Sequence, residues 1–203
     1  MKKTLLAALA LTFASTGAWA LTADGVTYTL TEQLLNSTTA DFTLVITGIN
    51  GPSDTEGGRS GVQSFAFTTP SNSTINFAGS SAPTGYTLQT GGLASSGCTG
   101  SGGFFCFAST TNPFPTSPAL AANSSLSFSF EMALASGSFA NYSPDFKINW
   151  DGSKNNYDLV SQPLAATPLP ASWTMMLSVL VMGVGFAFYQ GAKRRNGAQI
   201  AAA

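Results

Sequence analysis

The chain predicts an all-β protein: an antiparallel β-sandwich or jelly-roll-like body, preceded by an apolar leader and followed by one apolar span. Three observations lead there. Apolar and polar residues alternate in short runs, clusters of Asn, Asp, Gly and Pro fall between those runs, and nothing between the two ends repeats at a helical period. Eight or nine short strands in about 150 residues suit a single two-layer domain with one wet face per sheet.

The alternation is clearest from Ser125 to Leu134. Leu126, Phe128, Phe130, Met132 and Leu134 fall on one side, and Ser127, Ser129 and Glu131 on the other. Shorter runs are Val26-Tyr28-Leu30, Phe42-Leu44-Ile46, Phe65-Phe67, Ile75-Phe77, Tyr86-Leu88 and Phe105-Phe107. Phe146-Ile148-Trp150 and Tyr157-Leu159 complete the set. Turn chemistry separates them at Asn50-Gly51-Pro52, Pro70-Ser71-Asn72, Ala82-Pro83-Thr84-Gly85 and Asp151-Gly152-Ser153. Segments 51–61 and 91–103 are rich in Gly and Ser and read as flexible loops without regular structure. Cys98 and Cys106 are the only cysteines, and in an oxidising compartment an even count predicts a disulfide. Closing so short a loop stabilises by roughly 2.5 kcal/mol in the chain-entropy model.

The two ends carry targeting signals. Lys2-Lys3, an apolar Leu5–Phe13 and the small-residue pattern Ala18-Trp19-Ala20 make a signal peptide over residues 1–20. Cleavage is expected between Ala20 and Leu21. Ala171 to Tyr189 is free of charge, and 19 residues at 1.5 Å each reach about 28 Å, the depth of a bilayer core. Its apolar side chains favour insertion by on the order of 2–4 kcal/mol. Trp173 and Tyr189 sit at its ends, and Lys193, Arg194 and Arg195 follow as a basic stop that keeps the 196–203 tail cytoplasmic and the 21–166 body outside.

Just before the span stands Pro168-Leu169-Pro170-Ala171, within a motif of residues 167–173. The two prolines hold the chain extended, a shape that a protease can thread. The order of leader, Ser/Thr-rich body, Pro motif, span and basic cluster resembles the PEP-CTERM proteins of Gram-negative bacteria. Leu169 stands where that family has Glu, so the segment is similar to the Val-Pro-Leu-Pro-Ala variant, with Thr167 in place of Val. The resemblance covers about 36 residues. It implies an exosortase-type membrane enzyme as partner, cleavage near the motif, and a place beside extracellular polysaccharide and biofilm systems.

Composition limits what the body does. Apart from the ends it holds three basic residues, Arg59, Lys147 and Lys154, against nine acids, a net charge of −6. That excludes a nucleic-acid footprint. No histidine occurs anywhere, which removes His-dependent triads and most zinc chemistry. No cofactor and no enzymatic activity is expected. Paired carboxylates for glycoside cleavage would have to come from Asp54, Glu56, Glu131, Asp145, Asp151 and Asp158. Turn and surface roles explain those acids equally well. The oxygen-rich stretch Asp151–Asp158 suggests Ca²⁺, but it lacks EF-hand spacing and contains Lys154, and a hairpin turn accounts for it too. Trp150, Tyr157 and Tyr142 suggest either an aromatic platform for sugar rings or sandwich core. Asn36, Asn72, Asn123 and Asn141 begin Asn-x-Ser/Thr triplets, near chance in so Ser/Thr-rich a chain.

The sequence reading is therefore an exported structural or adhesive surface protein. A carbohydrate-binding sandwich on a membrane anchor is the alternative, and a polysaccharide hydrolase ranks behind both.

Overall fold

The computed structural model describes residues 16–94, 97–111, 120–152 and 160–166. The leader's first 15 residues, Lys154, Tyr157, Asp158, the Pro motif, the span 171–189 and the basic stop lie outside the described residues. Among the described residues no helix is long and apolar enough to cross a membrane.

The strands are β1 (Thr16–Ala23), β2 (Val26–Asn36), β3 (Thr39–Ile49), β4 (Gly61–Thr68), β5 (Thr74–Ile75) and β6 (Tyr86–Ala94). They continue with β7 (Gly97–Ser109), β8 (Ser124–Ser136), β9 (Asp145–Asp151), β10 (Val160–Pro163) and β11 (Ala165–Ala166). Every pairing is antiparallel. One sheet runs β11-β1-β2-β3-β8-β5 and the other β10-β9-β4-β7-β6. The all-β sandwich is as the sequence predicts.

The alternation sets which side chains meet. Ala40, Phe42, Leu44 and Ile46 of β3 are buried while the residues between them are half-exposed. Phe128, Phe130 and Met132 do the same on β8. Facing them from the second sheet are Phe65, Phe67, Phe105, Phe107 and Phe146. The sheets meet through aromatic rings: Phe107 and Phe130 centroids are 4.7 Å apart, Phe65 and Phe128 5.2 Å, Tyr28 and Phe146 5.2 Å. Offset and edge-on contacts of this kind add about 0.5–1.5 kcal/mol each beyond burial.

Two expectations need correction. Ile75-Phe77 is not a full strand, because β5 stops at Ile75 and Phe77–Gly79 forms a 3₁₀ turn capped by Asn76. The segment 91–103 is not a structureless loop either. Gly91 to Ala94 extend β6, and Gly97 to Gly103 belong to β7. The pairing steps from Thr90↔Phe105 to Gly92↔Gly100, so β7 carries extra residues that bend the hairpin. A Cβ on Gly92 would lie 2.7 Å from the Ser101 carbonyl, and one on Gly100 2.8 Å from the Gly92 carbonyl. Only glycine lets the backbones approach so closely. The folded tip returns over the outer face of its own sheet. There Leu93, Cys98 and Cys106 pack with Ala66 into a second small core.

The Cys98–Cys106 disulfide is present, with Cα atoms 5.6 Å apart. It staples that flap down and hides the outward side of Ala66. Replacing both cysteines by alanine should lower unfolding free energy by about 2–3 kcal/mol. Hydrogen exchange should rise across residues 91–101 while β3 and β8 stay protected, which mass spectrometry can read peptide by peptide.

Candidate functional site

Among the described residues, three polar clusters and one buried carboxyl group stand out once the core is set aside. The most buried lies where the β3–β4 loop meets β9. The side chains of Arg59 and Asp54 are both fully buried, with Nε 3.1 Å from Oδ2. Asp54 also accepts from the amides of Asn50 (2.9 Å), Glu56 (3.2 Å) and Gly57 (3.1 Å). Burial by itself would raise the Asp54 pKa, but these amide bonds and the guanidinium outweigh it and hold the carboxyl below its usual value. Asn50 closes the ring, accepting from Arg59 N (2.8 Å) and donating to the carbonyls of Arg59 and Leu120. The guanidinium carbon lies 4.8 Å from the Trp150 ring centroid, and Trp150 Nε1 donates to the Tyr28 hydroxyl at 3.1 Å.

Each partner in this cluster is consumed by structure. Trp150 is fully buried and Tyr142 nearly so: these two fill the sandwich core, one of their two sequence readings, and offer no open platform for a sugar ring. Asp151 accepts from Ser60 Oγ at 2.6 Å and Gln63 Nε2 at 3.2 Å, which ties the β9 end to β4. The rest of the suggested Ca²⁺ stretch, 153–158, lies outside the described residues. Among the described residues no group of three or more His, Cys, Asp or Glu stands close enough to hold a metal ion.

A second cluster lies on the wet face of the first sheet. Asp41 and Glu131 are directly opposite across β3 and β8, with Gln33 opposite Asp41 on β2. They border a shallow hollow of about 420 Å³ that Ser81 and Ser129 also line. Ser81 Oγ accepts from Glu131 N at 3.1 Å. Like charges facing across strands cost stability, and exposure to water is what makes the pair tolerable. Sequence reading named Glu131 and missed Asp41. The outward parity of Asp41 was legible, but its partner depends on strand order. Asp54, Glu56, Asp145 and Asp151 are not brought into this row.

The third cluster lines a hollow of about 430 Å³ at one end of the sandwich, among Thr68, Thr69, Ser71, Ser138, Asn141 and Asp145. Its wall is hydroxyl-rich. Tyr142 forms its floor, donating through its hydroxyl to the Thr68 carbonyl, and Asp145 N donates to Thr68 Oγ1 at 2.9 Å. Of the four Asn-x-Ser/Thr asparagines, Asn72, Asn123 and Asn141 adopt φ of 56°, 58° and 61°, a left-handed turn conformation that asparagine tolerates. Asn36 Oδ1 accepts from Thr38 N at 2.9 Å. Turn geometry thus accounts for these residues.

The fourth feature is a single group. Glu32 follows Val26, Tyr28 and Leu30 on the inward side of β2, is 5 % exposed, and among the described residues its Oε1 has no hydrogen-bond partner. Burial pushes its carboxyl up to about 7. Burial and then Glu32 itself push the Tyr142 phenol upward.

The described residues form an antiparallel two-sheet β-sandwich with one end held by the Asp54–Arg59–Asn50 assembly. No protein-family model, curated protein or solved structure matches the chain.

Two stability measurements check these assignments. Arg59→Met should cost about 3–5 kcal/mol, since it strands a buried carboxylate. Adding Asp54→Ala to it should cost less than the sum of the singles in urea unfolding. Glu32 sets a pH dependence. Its folded pKa lies above the ordinary 4.5, so the folded state keeps a proton that the unfolded chain loses, and stability falls as pH rises from about 4.5 to about 7. Asp54 acts oppositely, its contribution being lost as pH falls through and below 3.8. In the chain that keeps Thr16–Ala20 over Glu32, Glu32→Gln should flatten the upper window, raising stability at pH 8 by on the order of 2–3 kcal/mol over the same chain with Glu32.

Proposed function

We propose that this chain is an exported, non-catalytic surface or matrix protein with a structural or adhesive role beside extracellular polysaccharide. The leader directs export, the 171–189 span holds the chain in the membrane, and an exosortase-type enzyme acts near Pro168-Leu169-Pro170-Ala171. The single observation that carries this reading is the ordered C-terminal set: a Pro motif, an uncharged 19-residue run and Lys193-Arg194-Arg195. The histidine-free body of net charge −6 is consistent with it. So is the engagement of Asp54, Arg59 and Asp151 in holding loops together.

A second reading, binding of a neutral glycan, is favoured by one feature. The end hollow offers several hydroxyls, the Asn141 amide and the Asp145 carboxylate on one concave wall, and such groups match the donors and acceptors of a sugar ring. This reading no longer needs Trp150.

Mass spectrometry of the protein from medium and from membranes of its host tests the first reading. A species starting at Leu21 and ending within 167–171 supports sorting; intact tails found only in membranes refute it. For the second, a glycan array bound by wild type should lose about tenfold in affinity with Asp145→Ala, and an unchanged profile removes the hollow as a sugar site.

A further inference from the structure

The expected processing bond, Ala20–Leu21, lies inside a strand. β1 pairs with β2 residue by residue from Thr16↔Gln33 to Ala23↔Val26 without irregularity. On its other side Trp19 and Ala20 pair with Ala166 and Ala165 of β11. Ala20 is thus flanked by Thr29 on one strand and Ala165 on the other. A peptidase needs an isolated extended chain in its cleft, so this bond is open to attack only before β1 is paired.

The residues upstream of the bond belong to the core. Trp19 is 6 % exposed and packs edge-on to Tyr142, centroids 6.1 Å apart. Its ring folds back over Gly17, where a Cβ would lie 2.5 Å from Trp19 Cη2 and 3.1 Å from Glu32 Oε2. Gly17 therefore marks the point where the indole and the Glu32 carboxyl converge, and Trp19 and Gly17 together cover Glu32 on that side. A leader segment of no structural consequence would not need so close a fit.

We propose that Thr16–Ala20 is a strap that completes the sandwich while the leader is attached, and that its removal opens the β2 edge of the mature chain. The proposal rests on the reading that the leader is cut after Ala20. The step is hydrolysis: one water splits the Ala20–Leu21 amide, leaving a carboxylate on Ala20 and an ammonium on Leu21. Leu21 to Ala23 keep their pairing with Val26 to Tyr28, whereas the lane along Thr29 to Gln33 loses its partner strand. Leu30, now 1 % exposed, and Glu32 gain water on that side. Cutting and folding compete, because a chain that pairs β1 first shields the bond from the peptidase. The edge so opened offers main-chain donors and acceptors to one extended strand, with room for a small residue against Glu32 and an aromatic two residues later. The strap's own Gly17-Ala18-Trp19 has that pattern.

The test compares the full wild-type chain purified from its host with Ala20→Val, which blocks processing while keeping a strand-forming residue. N-terminal mass is recorded first, then hydrogen exchange of the 29–33 segment. With a wild-type start at Leu21, the segment should exchange at least about tenfold faster than in Ala20→Val, and a peptide of the Thr16–Ala20 sequence added in trans should slow it again. Equal protection in the two chains despite a Leu21 start overturns the strap and leaves the processing reading intact. A wild-type chain that begins at Thr16 or earlier overturns the processing reading, and the opening of the edge with it.

Discussion

The contact between Phe65 and its neighbours governs how the two sheets stand. Its ring touches Phe67, Tyr86 and Phe107 within its own sheet and Phe128 and Phe130 of the other, with centroid separations from 4.9 to 6.2 Å. Aromatic rings supply much of the buried area at this seam, and they must interdigitate because interiors tolerate few voids. Once β4 places Phe65 and Phe67 inward, the outward side of Ala66 becomes a small apolar surface. The Cys98–Cys106 flap covers that surface, so the disulfide and the inter-sheet seam are two consequences of one strand buried on both faces.

The ends of the sandwich obey a different constraint. Loops bring unpaired main-chain groups inward, and each has to find a partner. At one end Asp54 collects three amides and Asn50 serves two carbonyls and an amide, with Arg59 balancing the carboxylate. The cation also lies over Trp150, whose indole N–H is taken by Tyr28 of the opposite sheet. Loop order, charge balance and sheet-to-sheet registry therefore converge on one buried assembly. The other end differs: Glu32 is buried there, and among the described residues its Oε1 finds no hydrogen-bond partner, so burial holds its carboxyl toward the protonated form.

Period-2 alternation was enough to find β2, β3, β8 and β9, because each has one face in the core and one in water. The same parity that defines β9 also puts Trp150 with Phe146 and Ile148 on the inward side, so its burial was legible even though a platform was one expectation. Strand order was not legible. The Asp41–Glu131 juxtaposition arises from β3 pairing with β8 across more than eighty residues of sequence, and no local pattern encodes it. Composition misled at 91–103, where glycine signals close backbone approach and not looseness. At the N-terminus, small residues alternating with an aromatic satisfy both a peptidase and a strand, so one pattern supports two readings of residues 16–20.

Charge economy ties the body to its surroundings. Arg59 is sealed against Asp54, and Lys147 Nζ lies 4.4 Å from the centroid of Phe104, so two of the three body cations are engaged in intramolecular contacts. What faces water on the described strands is mainly Ser and Thr hydroxyls, amides and carboxylates. Such a surface repels polyanions and offers hydrogen bonds to neutral hydroxylated chains, with little steering at long range. Attachment through many weak polar contacts gains strength from repetition along a polymer more than from any one site. In the function proposed above, a membrane span or a covalent transfer would hold this cation-poor sandwich close to its neighbours and so meet that condition.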